Sequence, residues 1–131
     1  MVATAPLDIP DIQLSQRVQE FLQSPRQSFI NGQWQDAASG KTFPVHNPAT
    51  GEIIAMAAEG DAEDINQAVT AARLVFDDPT HAWSTMTPSE RGKLIWKIGD
   101  LILENLDELA ELESLDNGKP VGVAKAADVP L

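Results

Sequence analysis

The feature that most constrains the fold is a short run without polar side chains that follows Glu52. Its residues, Ile53-Ile54-Ala55-Met56-Ala57-Ala58, are apolar on both alternating faces. A strand of this kind is typical of a sheet covered on both sides, where each face has to be removed from water. The run therefore predicts a layered α/β structure. It also predicts that more protein than this chain supplies surrounds the strand.

Shorter strands are predicted before this run. Asn31-Gly32 lies between apolar pairs and can supply the two positive φ angles of a type I′ turn, which predicts a hairpin. Lys41 to His46 predicts a strand that Pro44 restricts to a sheet edge, because proline cannot donate to a ladder. Asn47 to Gly51 then predicts a turn.

Helical spacing dominates the rest of the chain. Apolar residues recur at helical intervals over 12–22, ending before Pro25, over 65–76, ending before Pro79, over 94–102 and over 109–112. Asp61 is predicted to cap the second of these helices, and burial of the larger apolar residues of that helix is expected to stabilise the fold. The three tryptophans are predicted to act as packing anchors. They are Trp34, Trp83 and Trp96.

Helix boundaries are marked by capping patterns. Thr87-Pro88-Ser89-Glu90 is a capping box with proline at the first helical position, and Asn105 begins a second, similar pattern. Two helices are therefore expected to meet near Asn105. Gly118, followed by Pro120, predicts a left-handed helix end.

Composition excludes several classes of protein. Nine Lys and Arg against twenty Asp and Glu give a formal net charge of −11, which repels nucleic-acid phosphates and anionic lipids. No run approaches the length of a membrane span, and the N-terminus lacks the features of a secretory signal. The chain has no cysteine, so it holds no disulfide, thiolate zinc site or thiol nucleophile. A cytoplasmic protein is expected.

Catalytic patterns are scarce. No G-x-G-x-x-G is present, and Gly118-Lys119 lacks the other residues of a phosphate-binding loop. His46 and His81 lack metal-ligand spacing and are expected to be exposed or locally hydrogen-bonded. The acidic pairs Glu104/Glu108 and Glu108/Glu111 could share a proton as acid and base. A solvated helix face is the favoured interpretation of these pairs.

Several segments, in this order, resemble the N-terminal region of the NAD(P)-dependent aldehyde dehydrogenase superfamily. Together they extend over residues 29–131. The segments are Phe29-Ile30-Asn31-Gly32-Gln33-Trp34, Asn47-Pro48-Ala49-Thr50-Gly51-Glu52, Ala68-Val69 with Ala71-Ala72-Arg73 and Phe76, Trp83, Ser89-Glu90-Arg91, and Glu113-Ser114-Leu115-Asp116-Asn117-Gly118-Lys119-Pro120.

The resemblance implies an enzyme that oxidises an aldehyde to a carboxylic acid and passes hydride to NAD or NADP. The family uses a cysteine nucleophile, a glutamate base and an asparagine in the oxyanion hole. All of these lie beyond the segment that this chain resembles, so no catalytic or cofactor-binding residue is assigned to it. Complete relatives form dimers or tetramers.

In fold, the resemblance implies part of an aldehyde dehydrogenase. Residues 1–28 are predicted to form a flexible N-terminus and a short amphipathic helix. Residues 29–131 are predicted to begin the cofactor domain, with a hairpin and short strands followed by helices. Those helices would pack on a nucleotide-binding, Rossmann-like domain that is mostly missing. This fragment alone is expected to be inactive.

The resemblance also implies a peripheral site for a monovalent cation. By position, its ligands would be the backbone carbonyls of Val45 and His46 and the carboxylate of Asp116, which are hard oxygen donors. In the alternative interpretation, Asp116 only shapes the turn that ends its helix.

Two other functions are left open. One is a freestanding, non-catalytic acidic module that binds a homologous subunit or another protein through uncovered apolar surface. The other is a carboxylate-based hydrolase, which only the acidic helix pairs support.

Overall fold

The structure is a computed structural model that describes residues 13–130. The predicted flexible segment at the start of residues 1–28, and Ile12 of the first helical pattern, lie outside these residues. The helices are α1 (Gln16–Leu22), α2 (Ala62–Asp77), α3 (Ala82–Thr85), α4 (Pro88–Glu104), α5 (Leu106–Asn117) and α6 (Val121–Val123), with a π-helical segment at Ala124–Asp128. The strands are β1 (Ser28–Ile30), β2 (Gln33–Gln35), β3 (Thr42–His46) and β4 (Ile53–Ala58). The predicted α/β class is confirmed.

These residues form two compact units. The first contains the described residues up to Arg26, together with Phe43–Ala57 and the residues from Ile102 onward. The second contains Gln27–Thr42 and Ala58–Leu101.

The core of the first unit brings together residues that are far apart in sequence. Val18 of α1, Ile54 of β4 and Leu115 of α5 are buried in one cluster. Burying side chains of this size stabilises the fold by about 1.5–3 kcal/mol each. Four partly buried residues pack against the cluster: Leu14, Leu22, Val45 and Leu112.

The apolar strand β4 is already covered at its centre. Ile54 and Ala55 are both buried, and neighbouring residues of a strand face opposite sides of the sheet. Burial on both faces is therefore confirmed there, whereas Ile53 is exposed. The expectation that this strand needs more protein than the chain supplies is wrong for its centre. Alanine side chains need little cover, and α1 and α5 cover Ile54.

β3 and β4 form a two-stranded sheet, in which β3 contains Pro44. On the other side of β4, Arg26 forms a parallel bridge with Ala57 and donates its backbone N–H to the carbonyl of Met56 at 2.7 Å. β3 is thus an edge strand, as Pro44 predicts.

In the second unit, the predicted hairpin is present. Ser28 pairs with Gln35 and Ile30 with Gln33. Asn31 and Gly32 have φ values of 53° and 77°, which are the two positive angles of a type I′ turn.

The helix starts were predicted from local patterns, and two of the three are confirmed. Asp61 and Asp64 form a reciprocal capping box at α2, and Thr87 and Glu90 form one at α4. Asn105 separates α4 from α5, but its side chain makes no capping hydrogen bond. That part of the prediction is wrong. Asn105 has a φ of −110° and a ψ of 23°, which is not the extended backbone that a capping residue usually adopts.

The apolar faces of α2 and α4 are largely exposed. This agrees with the expectation that these helices pack on a nucleotide-binding domain. No residue of α4 is buried, and Ile95 is 61% exposed. Trp96 is 76% exposed and is not a packing anchor, whereas the ring of Trp34 lies 4.9 Å from that of Phe29. Periodicity predicts which face of a helix is apolar, but it does not predict whether other residues of this chain pack against that face. The other large exposed members of these faces are Ile65, Val69, Phe76, Leu94, Ile98, Leu101 and Ile102, and Trp34 and Trp83 are also exposed.

Within residues 13–130, no helix combines the length and hydropathy needed to cross a bilayer.

Candidate functional site

The turn after β3 is fixed by its first residue. Asn47 is buried, and its Oδ1 accepts a hydrogen bond from the N–H of Ala49 at 2.8 Å. Its own N–H donates to the carbonyl of Glu52 at 2.9 Å, and its carbonyl accepts from Gly51 at 2.7 Å. Gly51 has a φ of 74°, which glycine adopts without a steric cost. These bonds hold the backbone just after Val45 and His46 in one conformation.

A second turn ends α5 and is held by three hydrogen bonds. Gly118 has a φ of 76° and donates its N–H to the carbonyl of Ser114 at 3.0 Å. Lys119 donates its N–H to Oδ1 of Asn117 at 2.8 Å, and the Ser114 hydroxyl donates to the carbonyl of Lys119 at 2.5 Å. The left-handed helix end predicted at Gly118 is confirmed.

The two turns are in contact. A Cβ added to Gly118 would lie 3.2 Å from Cγ of Pro48. Glycine is therefore favoured at position 118 for two reasons: its positive φ and the tight space beside Pro48. Two motifs that the sequence analysis identified about seventy residues apart form one surface of the first unit.

The three residues predicted to bind a cation all belong to this unit. Val45 is half-buried and packs against the core, whereas His46 and Asp116 are exposed. Nδ1 of His46 lies 3.2 Å from the carbonyl of Gly51. Residues 13–130 contain no cluster of three or more His, Asp or Glu side chains that could hold a metal ion. A cation here would depend on backbone carbonyls, with Asp116 as the only carboxylate.

Both histidines have the local contacts that the sequence predicts. Besides the His46 contact, Nδ1 of His81 accepts a hydrogen bond from the N–H of Trp83 at 3.1 Å and caps α3. That bond places the ring proton of neutral His81 on Nε2.

Two acidic residues of α5 bind residues of α1 or its cap. Glu108 forms an ion pair with Arg17 of α1 at 2.7 Å. Oε2 of Glu111 accepts hydrogen bonds from both the N–H and the hydroxyl of Ser15. These two carboxylates therefore hold α1 against α5, which accounts for them without an acid and base pair. Neither contact could be found by helical spacing, because the partners lie more than ninety residues away.

Two lysines connect the last helical segments to earlier residues. Nζ of Lys119 bonds Oδ2 of Asp128 at 2.5 Å, and this hydrogen bond raises the pKa of Lys119. Lys125 forms an ion pair with Asp107 near the start of α5. Neither ion pair is predicted by the sequence, because no short-range pattern joins the two residues of either pair.

An open apolar groove of about 490 Å³ lies on the second unit. Its one charged lining residue, Arg73, bonds Asp77 at 2.9 Å and lies over the ring of Phe76. Its remaining lining residues are Ala72, Val75 and Trp83. The groove therefore offers apolar surface, and its guanidinium already has partners.

Comparisons with known proteins agree on one family. The family model described as the aldehyde dehydrogenase family matches residues 34–131. Aldehyde dehydrogenase family 2 member C4 of Arabidopsis thaliana is 55% identical over 102 residues, which are 78% of this chain and 20% of that protein. The mitochondrial aldehyde dehydrogenase of Homo sapiens is 48% identical over 105 residues, which are 80% of this chain and 20% of that protein.

Solved structures agree. An aldehyde dehydrogenase from Bacillus cereus, in a structure of its NAD⁺ complex, matches with a TM-score of 0.86 and 47% identity. The match covers 90% of this chain and 24% of that one. This chain thus spans between a fifth and a quarter of the length of these relatives.

The order of strands and helices matches that of part of a solved aldehyde dehydrogenase. The chain belongs to the aldehyde dehydrogenase family.

Proposed function

We propose that this chain is the N-terminal scaffold of an enzyme that oxidises an aldehyde to a carboxylic acid with NAD or NADP as the acceptor. The match to the NAD⁺ complex of the Bacillus cereus enzyme, at a TM-score of 0.86, carries this proposal. The substrate would be a small-molecule aldehyde, and the whole enzyme a cytoplasmic homo-oligomer, either a dimer or a tetramer. Residues 29–131 would begin its cofactor domain, after the N-terminal helix in residues 1–28.

The 131-residue chain by itself is proposed to be inactive. It has no cysteine, and the mechanism implied by the family needs a thiolate to attack the aldehyde carbonyl. Its contribution is to position structure through the core, the capped helices and the two touching turns. Incubation with aldehydes and NAD or NADP should produce no increase in reduced cofactor. Turnover by the pure chain would overturn this part of the proposal.

A chimaera tests the scaffold role directly. Residues 13–130 would replace the matching segment of the Bacillus cereus enzyme, and the product is expected to reduce NAD⁺ in the presence of an aldehyde. A matched chimaera with Leu115→Ala removes a core side chain of the scaffold and should be less stable. A chimaera that folds and binds NAD⁺ but does not oxidise aldehydes would contradict the proposal.

We also propose that Val45, His46 and Asp116 hold a monovalent cation. Two carbonyl oxygens and one carboxylate are donors that suit a hard cation, and the contact between Pro48 and Gly118 brings the two turns together. The ion would supply positive charge between the turns and would not take part in the reaction. Thermal stability should be higher in sodium or potassium chloride than in choline chloride of equal ionic strength. Asp116→Asn should remove this difference, and its absence in the unsubstituted chain would contradict the site.

The exposed apolar faces of α2 and α4 support a second candidate function. A non-catalytic acidic module could use them to bind a homologous subunit or another protein. This function predicts that the chain binds a hydrophobic dye and co-elutes with a full-length homologue. A chain that does neither would count against it.

A further inference from the structure

The chain contains two Asn-Gly dipeptides in different surroundings. One is Asn31-Gly32 in the hairpin turn, and the other is Asn117-Gly118 at the end of α5. Glycine has no Cβ beside its backbone nitrogen, so attack by that nitrogen on the preceding asparagine side chain meets little steric hindrance. We propose that Asn31 is a site of spontaneous deamidation in the folded protein and that Asn117 is protected. This inference does not depend on the proposed enzymatic function.

The reaction needs only water. The backbone nitrogen of Gly32 loses its proton to hydroxide and attacks Cγ of Asn31. The bond between this nitrogen and Cγ forms, the bond between Cγ and Nδ2 breaks, and Nδ2 takes a proton from water and leaves as ammonia, which regenerates hydroxide. Water then opens the five-membered succinimide at one of its two carbonyl carbons. The products are aspartate and isoaspartate, and no atom is oxidised or reduced.

The hairpin turn shares its φ at Asn31 with the geometry that this ring requires. In the closed ring, the Gly32 nitrogen is eclipsed with Cβ of Asn31 about the bond between Cα and the carbonyl carbon. This arrangement corresponds to a ψ of about −120° at Asn31, which is the value at the first central residue of a type II′ turn. Asn31 already has a φ of 53°, and positive φ at this position is common to type I′ and type II′ turns. Rotation of the single peptide between Asn31 and Gly32 therefore reaches the reactive conformation while the strands keep their register.

Nothing in the described structure opposes that rotation. Within residues 13–130, neither the Asn31 side chain nor the Gly32 amide takes part in a hydrogen bond. Asn31 is exposed, and no atom of a residue other than Gly32 and its two chain neighbours lies within 4 Å of the position that a Cβ on Gly32 would occupy.

Asn117 is also followed by glycine, but its side chain and the attacking nitrogen both form hydrogen bonds. Its Nδ2 donates to Oε1 of Glu113 at 2.5 Å, and its Oδ1 accepts from the N–H of Lys119 at 2.8 Å. The attacking nitrogen, that of Gly118, donates to the carbonyl of Ser114 at 3.0 Å. Asn117 is also the last residue of α5, so ring closure has to break the helix end as well as these bonds.

Deamidation would change the hairpin in two ways. Isoaspartate at position 31 carries the main chain through its side-chain carbon, which lengthens a two-residue turn between the paired Ile30 and Gln33. Either product also adds one negative charge to a chain whose formal net charge is −11.

Peptide mapping of the folded chain tests the inference. The chain is held at mildly alkaline pH, digested, and analysed for the mass gain of each Asn-Gly peptide, with isoaspartate detected by an isoaspartyl methyltransferase. Product at Asn31 should accumulate at least about tenfold faster than at Asn117, because three hydrogen bonds oppose closure only at Asn117. In concentrated urea, where both sites are unfolded, the two rates should converge.

Two variants serve as matched controls. Asn31→Gln should abolish the fast reaction, because glutamine has to close a larger ring, and Asn117→Gln should leave its rate unchanged. Equal rates at the two sites in the folded chain would overturn the proposal. The proposal would also be overturned if unfolding raised the deamidation rates at Asn31 and Asn117 by the same factor.

Discussion

Ser15 donates both its backbone N–H and its hydroxyl to one oxygen of Glu111, at 2.8 and 2.9 Å. The same hydroxyl oxygen accepts the N–H of Val18 and caps α1. One carboxylate on α5 thus fixes the start of a helix that precedes it by 96 residues. The attachment of α1 to the first unit is therefore expected to depend strongly on Glu111.

Glu111→Ala should lower the free energy of unfolding by about 1.5 kcal/mol, as expected when hydrogen bonds to a charged group are lost. Urea denaturation measures this change. Glu104→Ala, which alters an exposed residue of the same type on α4, is the control and should stay within about 0.5 kcal/mol of the parent. Equal effects of the two substitutions would show that Ser15 does not rely on Glu111 in solution.

Leu115→Ala should be among the most damaging substitutions, since Leu115 is fully buried beside Val18 and Ile54. The cavity and the lost apolar contact should cost about 2–5 kcal/mol. Ile95→Ala on α4 should change stability by less than about 0.5 kcal/mol, because Ile95 is already exposed. Both are measured by chemical denaturation. A large cost at Ile95 would mean that the face of α4 is covered in solution.

Gly118→Ala tests the contact between the two turns. Alanine at a φ of 76° is strained by about 1–2 kcal/mol, and its Cβ would also press on Pro48. Gly32→Ala has a similar φ of 77° but open space around it, so it should show the conformational cost alone. Adding Pro48→Ala to Gly118→Ala should recover the difference. Additive effects in this double-mutant cycle would argue against the contact.

Asp64 predicts a dependence of stability on pH. The backbone N–H groups of Asp61 and Ala38 donate to its carboxylate, and they lower the pKa of Asp64. The unfolded chain therefore binds this proton more readily than the folded chain. The stabilisation is complete above the ordinary pKa of an aspartate and is lost as the pH falls through the lowered one.

Melting temperatures measured from neutral to acidic pH check this sign. Asp64→Asn should be less stable than the parent at neutral pH, and its melting temperature should fall less as the solution is acidified. Asp100→Asn, at an exposed position of α4, should keep the parental pH profile. A parallel fall in the parent and in Asp64→Asn would contradict the role given to Asp64.

The features predicted correctly from sequence are those whose partners are close along the chain. The Asn31-Gly32 turn, the cap at Asp61, the capping box at Thr87 and the left-handed Gly118 depend on residues within four positions of each other. Backbone geometry alone settles such patterns.

The features missed depend on chain segments that only folding brings together. The spacing of Ser15 and Glu111, or of Ala38 and Asp64, does not predict a hydrogen bond between them. Trp96 was wrongly expected to be a packing anchor, because a large apolar side chain favours burial but does not specify which segment buries it. Of the candidate site, the two turns were predicted, while the contact of Pro48 with Gly118 required the structure.

The uncovered apolar faces of α2 and α4 also affect how the chain behaves at high concentration. Copies that carry such faces attract one another at short range, and their shared negative charge of −11 opposes the approach. This opposition acts over about 30 Å at 0.01 M salt but only about 3 Å at 1 M. The colloidal stability of the chain is thus set by ionic strength, and clustering should begin as added salt shortens the reach of the repulsion.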